Sequence, residues 1–556
     1  MYSITLETRS LLTPDGIRLD ADVYFPQGIG AFPVLLMRQP YGRTIASTVV
    51  YAHPRWYAQQ GYIVVIQDVR GRGTSQGEFH LFAHEEEDGN LTVNWAAELP
   101  GSSGAVGMYG FSYQGMTQLY AARGQSPALK TLCPAMLATD LHRDWAYEGG
   151  AFCFQLNLAW AIQLAAETAR RSGDSEAFAA LFQASRQLPV DQPGAPALPE
   201  VLQRYAPASF YFDWVNNPQA NTPYWQTLNP DVTGLDLPML HIGGWFDPYL
   251  RGTLKLYQQM QAQSEQPQHL WVGPWPHLPW GQQAGAVHFG QEAQTPIDRL
   301  QLRWFDQFLK GKDTGLLTEN PVHCFDLGQT TWRQAQTYPP AAQPQHWHLL
   351  SAGLAAMGTP EGQLIAPSPQ DPDPEDFSDW LVHDPWRPVP ALGGHAVMPG
   401  GSFNRQALDD RSDLLTYTSA PFTTPLCLWG DLTLRLCVQS PNPSFDLCAV
   451  LSVVQGAGVF NFSQGYRRIA QNTPGQRITV ILELQATCRT IAVGECLRLS
   501  LSASSFPAYT LNPGTGENPE QTPRWQAQVI TLEVKSGELQ GLAIVDGACR
   551  NLAGSN

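Results

Sequence analysis

Basic residues are scarce in this chain: 33 lysines and arginines face 49 aspartates and glutamates over 556 residues, a net charge of −16. With no basic cluster to offset that balance, a surface built for nucleic acid or an anionic membrane is excluded. Long apolar runs are missing too, and no segment reaches membrane-spanning length. The opening Met1-Tyr2-Ser3-Ile4-Thr5-Leu6-Glu7 has neither the basic region nor the apolar core of a secretory leader. Nine cysteines form no Cys-x-x-Cys pair and no zinc spacing. They are expected as reduced, mostly buried small hydrophobes, in a cytoplasmic protein that holds no metal. Charged residues make up only 15% and apolar ones 43%, the composition of a packed globular chain. At this length two or three cores are expected instead of one.

Thr13-Pro14-Asp15-Gly16 is a turn signal, followed by alternation at Ile17, Leu19, Ala21 and Val23, which predicts an opening hairpin. Val34-Leu35-Leu36-Met37 and Tyr62-Ile63-Val64-Val65-Ile66 are continuous apolar runs, expected of strands buried on both faces. Amphipathic stretches between such runs predict a mostly parallel, helix-flanked sheet.

Within that pattern stands Gly110-Phe111-Ser112-Tyr113-Gln114-Gly115. It joins a predicted strand through Gly107-Met108-Tyr109 to a predicted helix from Tyr113 to Arg123. A serine on such a tight turn is held with its hydroxyl exposed, the geometry of a nucleophile elbow. The second glycine falls three residues after the serine, with Gln114 in the usual place. Downstream, the apolar strand Pro238 to Trp245 is followed by Asp247, and the strand His269 to Gly273 by Gly273-Pro274-Trp275-Pro276-His277. An acid and a base thus follow the serine in the chain order of α/β-hydrolases, each just past a strand end. The expectation is a triad: Ser112 attacks a carbonyl, His277 takes its proton, and Asp247 fixes the imidazole tautomer. The amide of Tyr113 is the expected first oxyanion donor.

These motifs, Gly-x-Ser-Tyr-x-Gly, Gly-Trp-Phe-Asp and Gly-Pro-Trp-x-His, resemble the cocaine-esterase-type (CocE/NonD) acyl hydrolases, relatives of the X-Pro dipeptidyl-peptidases. Gln67 to Ser75, Arg38-Gln39-Pro40-Tyr41-Gly42-Arg43, Ser505-Phe506-Pro507 and Asn512 to Gly516 extend the resemblance over nearly the whole chain. It implies that the Tyr41 hydroxyl is the second oxyanion donor. It also implies that Trp145 and Trp160 line a substrate pocket, to which we add Tyr249; by pattern alone Trp160 fits a core role nearly as well.

Helix formers dominate Ala146 to Leu188 and are followed by a Pro-rich loop, Pro189 to Pro199. Because the strand before Asp247 resumes only near Leu237, this block is expected as a helical cap inserted over the site. After Phe305 to Gly311 the period becomes two, as in Leu432, Leu434, Leu436 and Val438, then Leu497, Leu499 and Leu501. The expected architecture is α/β: a hydrolase domain over 1–142 and 233–318, a helical cap over 143–232, and an all-β jelly-roll-like sandwich over 319–556. Pro360 to Gly394 is expected as a wrapping loop.

Gly71-Arg72-Gly73-Thr74-Ser75-Gln76-Gly77 mimics a dinucleotide fingerprint, but its last glycine is out of place and no apolar helix follows. It is expected as a structural loop. Glu85-Glu86-Glu87-Asp88 is expected as the solvated first turn of a helix. No cofactor is expected, and the partner is a small-molecule ester or amide. The sequence leaves the choice between monomer and homo-oligomer open. Relatives acting on α-amino-acid esters or peptide N-termini need an anionic cradle for the substrate ammonium, and the resemblance implies that in the amino-ester hydrolases part of it comes just after the triad acid, where this chain has Pro248-Tyr249-Leu250. Unless Asp144 or Glu148 in the cap substitutes, a substrate ammonium has no partner. The expected activity is therefore a serine carboxylesterase, with X-Pro dipeptidyl-peptidase or α-amino-acid ester hydrolase as the alternative.

Overall fold

The computed structural model describes residues 1–44, 48–192, 194–357, 362–367 and 377–544. Ten strands form the first sheet, in the order Ser3–Leu12, Arg18–Gln27, Ile63–Asp68, Phe32–Gln39, Ser102–Phe111, Leu129–Ala135, Met239–Phe246, Gln268–Pro276, Val322–Asp326 and Thr331–Ala335. Pairing is parallel from Ile63–Asp68 through Val322–Asp326 and antiparallel at both margins. The apolar runs read from sequence are these central strands, and Phe32–Gln39, Ile63–Asp68 and Met239–Phe246 are buried along their whole length. Tyr57, Trp304 and Phe305 pack on one face, Val93, Met116 and Leu119 on the other. All six are fully buried, which is why the strands need no polar face.

The sheet runs past the boundary expected at 318. Val322–Asp326 pairs in parallel with Gln268–Pro276 and is joined by a tight hairpin to Thr331–Ala335. Which sheet such short strands join is settled by their partners in space and not by local pattern.

The insertion before Met239–Phe246 opens differently from its composition. Tyr147 to Cys153 is not helical: a π-helical turn, His142–Ala146, leads into a small hairpin, Tyr147–Glu148 with Ala151–Phe152. Helices Phe154–Ser172, Ser175–Arg186, Glu200–Tyr205, Phe210–Asn216 and Pro223–Leu228 then build the cap around the buried Trp214 and Trp225.

The C-terminal part is all-β, one continuous sheet in which Gly458–Ile469 and Arg477–Ile491 form the two ends. Those ends lie against each other, so the sheet is nearly closed. Parts of the stretch from 360 to 394 lie outside the described residues. Its described parts are not only loop: Gln363–Ile365 and Asp379–His383 are strands, the second paired with Ile530–Ile544. Phe377 is buried there, while Trp380 and Trp386 are half exposed. One apolar cluster passes without a break from Trp245 and Phe325 of the first sheet to Leu434 and Leu482 of the second. The two sheets share a core. Among the described residues no helix is long and apolar enough to cross a membrane.

Candidate active site

The site lies at the carboxyl ends of four adjacent parallel strands, Ser102–Phe111, Leu129–Ala135, Met239–Phe246 and Gln268–Pro276. Phe111 pairs with Ala135 and Ala135 with Ile242, so the segments leaving these strands emerge side by side. Between the strand Ser102–Phe111 and the helix Tyr113–Arg123 a single residue, Ser112, makes the turn, at φ 59° and ψ −127°. That left-handed conformation is strained for a residue with a β-carbon. Its amide is held by Ala135 O at 2.9 Å. The flanking glycines explain why the turn closes. A β-carbon at Gly110 would stand 2.4 Å from Gln114 Cβ, and one at Gly115 2.9 Å from Ala135 O. The displaced second glycine of the motif therefore has its own job, letting the helix lie against the neighbouring strand.

His277 follows directly on Gln268–Pro276, and Asp247 on Met239–Phe246. His277 Nδ1 lies 2.7 Å from Asp247 Oδ1, and Nε2 lies 3.1 Å from Ser112 Oγ. A neutral ring donating from Nδ1 presents Nε2 as the acceptor for the serine hydroxyl. Asp247 is fully buried, whereas the His277 side chain keeps 21% of its surface exposed. The backbone N–H of Tyr249 donates to the second oxygen of Asp247 at 3.2 Å.

Tyr113 starts the helix after Ser112, so its amide has no acceptor inside that helix. Its phenol donates to Glu85 at 2.7 Å, and Glu85 pairs with Arg38 at 2.5 Å. This corrects the reading of Glu85 to Asp88 as a solvated turn. Glu85 and Asp88 are buried, Asp88 pairing with Arg70, and only Glu86 and Glu87 face water. Helical periodicity puts 85 and 88 on one face, but nothing local reveals that arginines wait there. Gly71 to Gly77 is a loop, as expected, and Asp68 beside it accepts from the amides of Arg43 and Thr74.

The Tyr41 hydroxyl accepts from Trp160 Nε1 at 3.1 Å and lies beside Ser112. Burial, only partly opposed by those contacts and by the charge of Arg72, pushes its phenol up to about 12. It stays protonated, hence a donor, throughout the neutral range. Around these groups stands an aromatic wall. Trp145 lies tilted against Tyr249 with centroids 4.2 Å apart and against Trp160 at 5.0 Å, while Tyr249 meets the His277 ring edge-on at 4.8 Å. All eight residues singled out from sequence thus lie together.

Other contributors carry no local signal. Phe111 tilts against His277 at 5.5 Å, and Phe210 against Trp160 at 4.9 Å. Gln485, in the β domain, donates through its amide to Trp245 O at 3.0 Å and Asp247 O at 2.9 Å. The loop bearing the acid is thereby tied to the second sheet from 238 residues away. Gln485→Ala leaves those carbonyls short of a donor and is expected to cost about 1–3 kcal/mol of stability. Urea unfolding measures that loss, and a fall in kcat at constant KM shows that the acid loop has shifted.

An elbow serine, an imidazole and a buried carboxylate at the carboxyl edge of this sheet define a serine hydrolase of the α/β-hydrolase class. Residues 15–279 match the X-Pro dipeptidyl-peptidase (S15) family, and 314–536 match the X-Pro dipeptidyl-peptidase C-terminal non-catalytic domain. The chain belongs to this family, on its cocaine-esterase-like, CocE/NonD side. It is 29% identical over 531 residues to the cocaine esterase of Rhodococcus sp. (strain MB1 Bresler), covering 90% of this chain and 91% of that protein. The fold is similar to an aminopeptidase from a marine sediment Thaumarchaeota archaeon, with TM-score 0.80, 21% identity and coverage of 98% of this chain and 97% of that one. A selenomethionine-labelled α-amino acid ester hydrolase superposes with TM-score 0.77 at 21% identity, covering 97% of each chain.

Proposed function

We propose that this serine hydrolase cleaves neutral carboxylic esters, with Ser112 as nucleophile, His277 as general base and then acid, and Asp247 as the partner of the imidazole. The reading is carried by the unbroken chain Ser112–His277–Asp247 at a strained elbow. Ser112 Oγ attacks the ester carbonyl as its proton passes to His277 Nε2. The oxyanion is received by the Tyr113 amide and the Tyr41 hydroxyl, and the alcohol leaves with the proton from His277. Water then repeats the cycle on the acyl-enzyme. The aromatic wall of Trp145, Trp160 and Tyr249 supports an apolar or aromatic acyl or alcohol group.

Preference for a neutral substrate rests on the two cap carboxylates. Asp144 accepts from the amides of Thr139 and Asp140 and pairs with Lys255 at 2.5 Å. Glu148 is enclosed by Arg251 at 3.1 Å, His395 at 2.8 Å and the Tyr509 hydroxyl at 2.6 Å. Burial would raise its carboxyl, but the charges of Arg251 and His395 and its hydrogen bonds hold it down at about 2. Both are already neutralised by the protein, so neither is spare for a substrate ammonium. Cys133, Cys153, Cys448 and Cys488 are buried and form no disulfide, which supports a reducing, cytoplasmic setting.

Wild-type protein is expected to hydrolyse a short-chain p-nitrophenyl ester with a burst of p-nitrophenol stoichiometric with enzyme, and to leave Ala-Pro p-nitroanilide intact. Efficient anilide cleavage without ester turnover would move the protein to the dipeptidyl-peptidase reading.

A further inference from the structure

A second cavity, of about 800 Å³, lies between the cap and the loop from Gly71 to Ala83, and Phe210 lines it while also packing on Trp160. Ser112, His277, Asp247 and Tyr41 are not part of its lining. Much of its wall is apolar, including the buried Ala161, Leu164, Ala165 and Ala169 of the helix Phe154–Ser172.

Into this wall is set Arg72, only 2% exposed. Its Nη1 donates to Leu164 O at 3.0 Å and Thr168 Oγ1 at 3.2 Å, and its guanidinium lies over the Phe79 ring at 3.8 Å. Nε is buried with no partner. Among the described residues no carboxylate lies within ion-pair distance of it. By contrast, the buried Arg38, Arg70 and Arg468 each hold a carboxylate at 2.8 Å or less. Glu167, whose charge reaches Arg72, is taken by Arg170 at 2.7 Å. Burial accordingly lowers Arg72 to about 10, the direction expected of a cation without its anion.

A buried guanidinium whose donors are not filled is costly, and its planar fork fits a carboxylate. The other charges on the lining are better placed. Arg171 donates to Ser75 O, Asp174 caps a helix, Glu78 lies 3.6 Å from His80, and Asp213 is exposed. We infer that this cavity is a binding site for an organic monocarboxylate, seated with its carboxylate on Arg72 and its apolar body along the alanine-lined face of the cap helix. Its volume is that of a small-molecule site. Acid products of ester cleavage belong to this class, but the binding itself does not depend on the esterase reading.

Isothermal titration of the full-length Ser112→Ala chain with octanoate and with the uncharged octanamide tests the site. Octanoate is expected to bind with one-to-one stoichiometry, about tenfold or more tighter than octanamide. Arg72→Gln is expected to lose about tenfold in octanoate affinity. Ala165→Phe, which fills the cavity and keeps the arginine, is expected to weaken octanoate comparably. Should Arg72→Gln fail to fold, the octanamide comparison and Ala165→Phe still decide. Equal binding of octanoate and octanamide, no binding of octanoate, or binding that survives both substitutions would overturn the proposal.

Discussion

Ser112→Ala is expected to abolish ester turnover, with kcat falling on the order of 10⁶-fold and the p-nitrophenol burst disappearing. Without Oγ no acyl-enzyme forms, and His277 and the oxyanion donors retain only the small catalysis of water held beside them. The loss is chemical and not structural. Alanine keeps the β-carbon, so the backbone at φ 59° and ψ −127° carries the same strain as before. Ser112→Ala should therefore unfold at the same urea concentration as wild type. Ser112→Gly separates the two effects. It is equally inactive, but relief of the strained turn outweighs the extra chain entropy of glycine, for a net gain of roughly 1 kcal/mol. Stability that rises in Ser112→Gly alone would show that the elbow holds strain for the sake of the hydroxyl's position. Turnover within tenfold of wild type in either variant would remove Ser112 from the mechanism.

What could be read in advance follows from how far each signal reaches along the chain. Ser112 sits between a strand and a helix that are contiguous in sequence, and Asp247 and His277 each follow their own strand at once. Local pattern therefore locates them, and chain order relates them. Tyr41 has no such pattern and came only from resemblance. Gln485 had no route at all: it is one residue in a long alternating strand, and its task is set by a loop 238 residues earlier. The same reach explains why the first sheet runs past 318. Whether a short apolar strand joins the first sheet or the second is decided by its neighbour in space, and Val322 finds Leu270. Buried ionic partners were invisible for a related reason. Glu85 and Glu86 are identical in sequence, but only the first faces Arg38.

Joined cores and shared clamps also bear on what the β domain does. Gln485 holds the acid loop, while His395 and Tyr509 hold Glu148 of the cap. The second domain thus contacts both the catalytic loop and the element over the site, without placing a group on the reacting atoms. These contacts point to a positional part in the reaction. Removing it would expose the apolar cluster that runs through both sheets, and a second cluster joins the cap to the first sheet, so the three units are expected to unfold together.

Tyr41→Phe is expected to lower kcat by about 10²–10³-fold while KM for the p-nitrophenyl ester changes little. The phenol oxygen already accepts from Trp160 Nε1, which leaves its own proton free to donate to an oxyanion formed beside Ser112. In the ground state that proton meets a serine hydroxyl or an ester carbonyl, both weak acceptors. In the transition state it meets an alkoxide, and only that gain appears in kcat. Because burial raises the phenol to about 12, it remains a donor through the neutral and mildly alkaline range, and no alkaline loss of activity should arise from Tyr41 below that pH. Trp160→Phe removes the donor that orients the phenol and is expected to cost a smaller factor, about fivefold to tenfold. If the tryptophan acts through the tyrosine, the double variant is no slower than Tyr41→Phe alone. Full additivity in that cycle would assign Trp160 to the pocket only. A Tyr41→Phe enzyme with undiminished kcat would leave the Tyr113 amide to bear the oxyanion without the phenol.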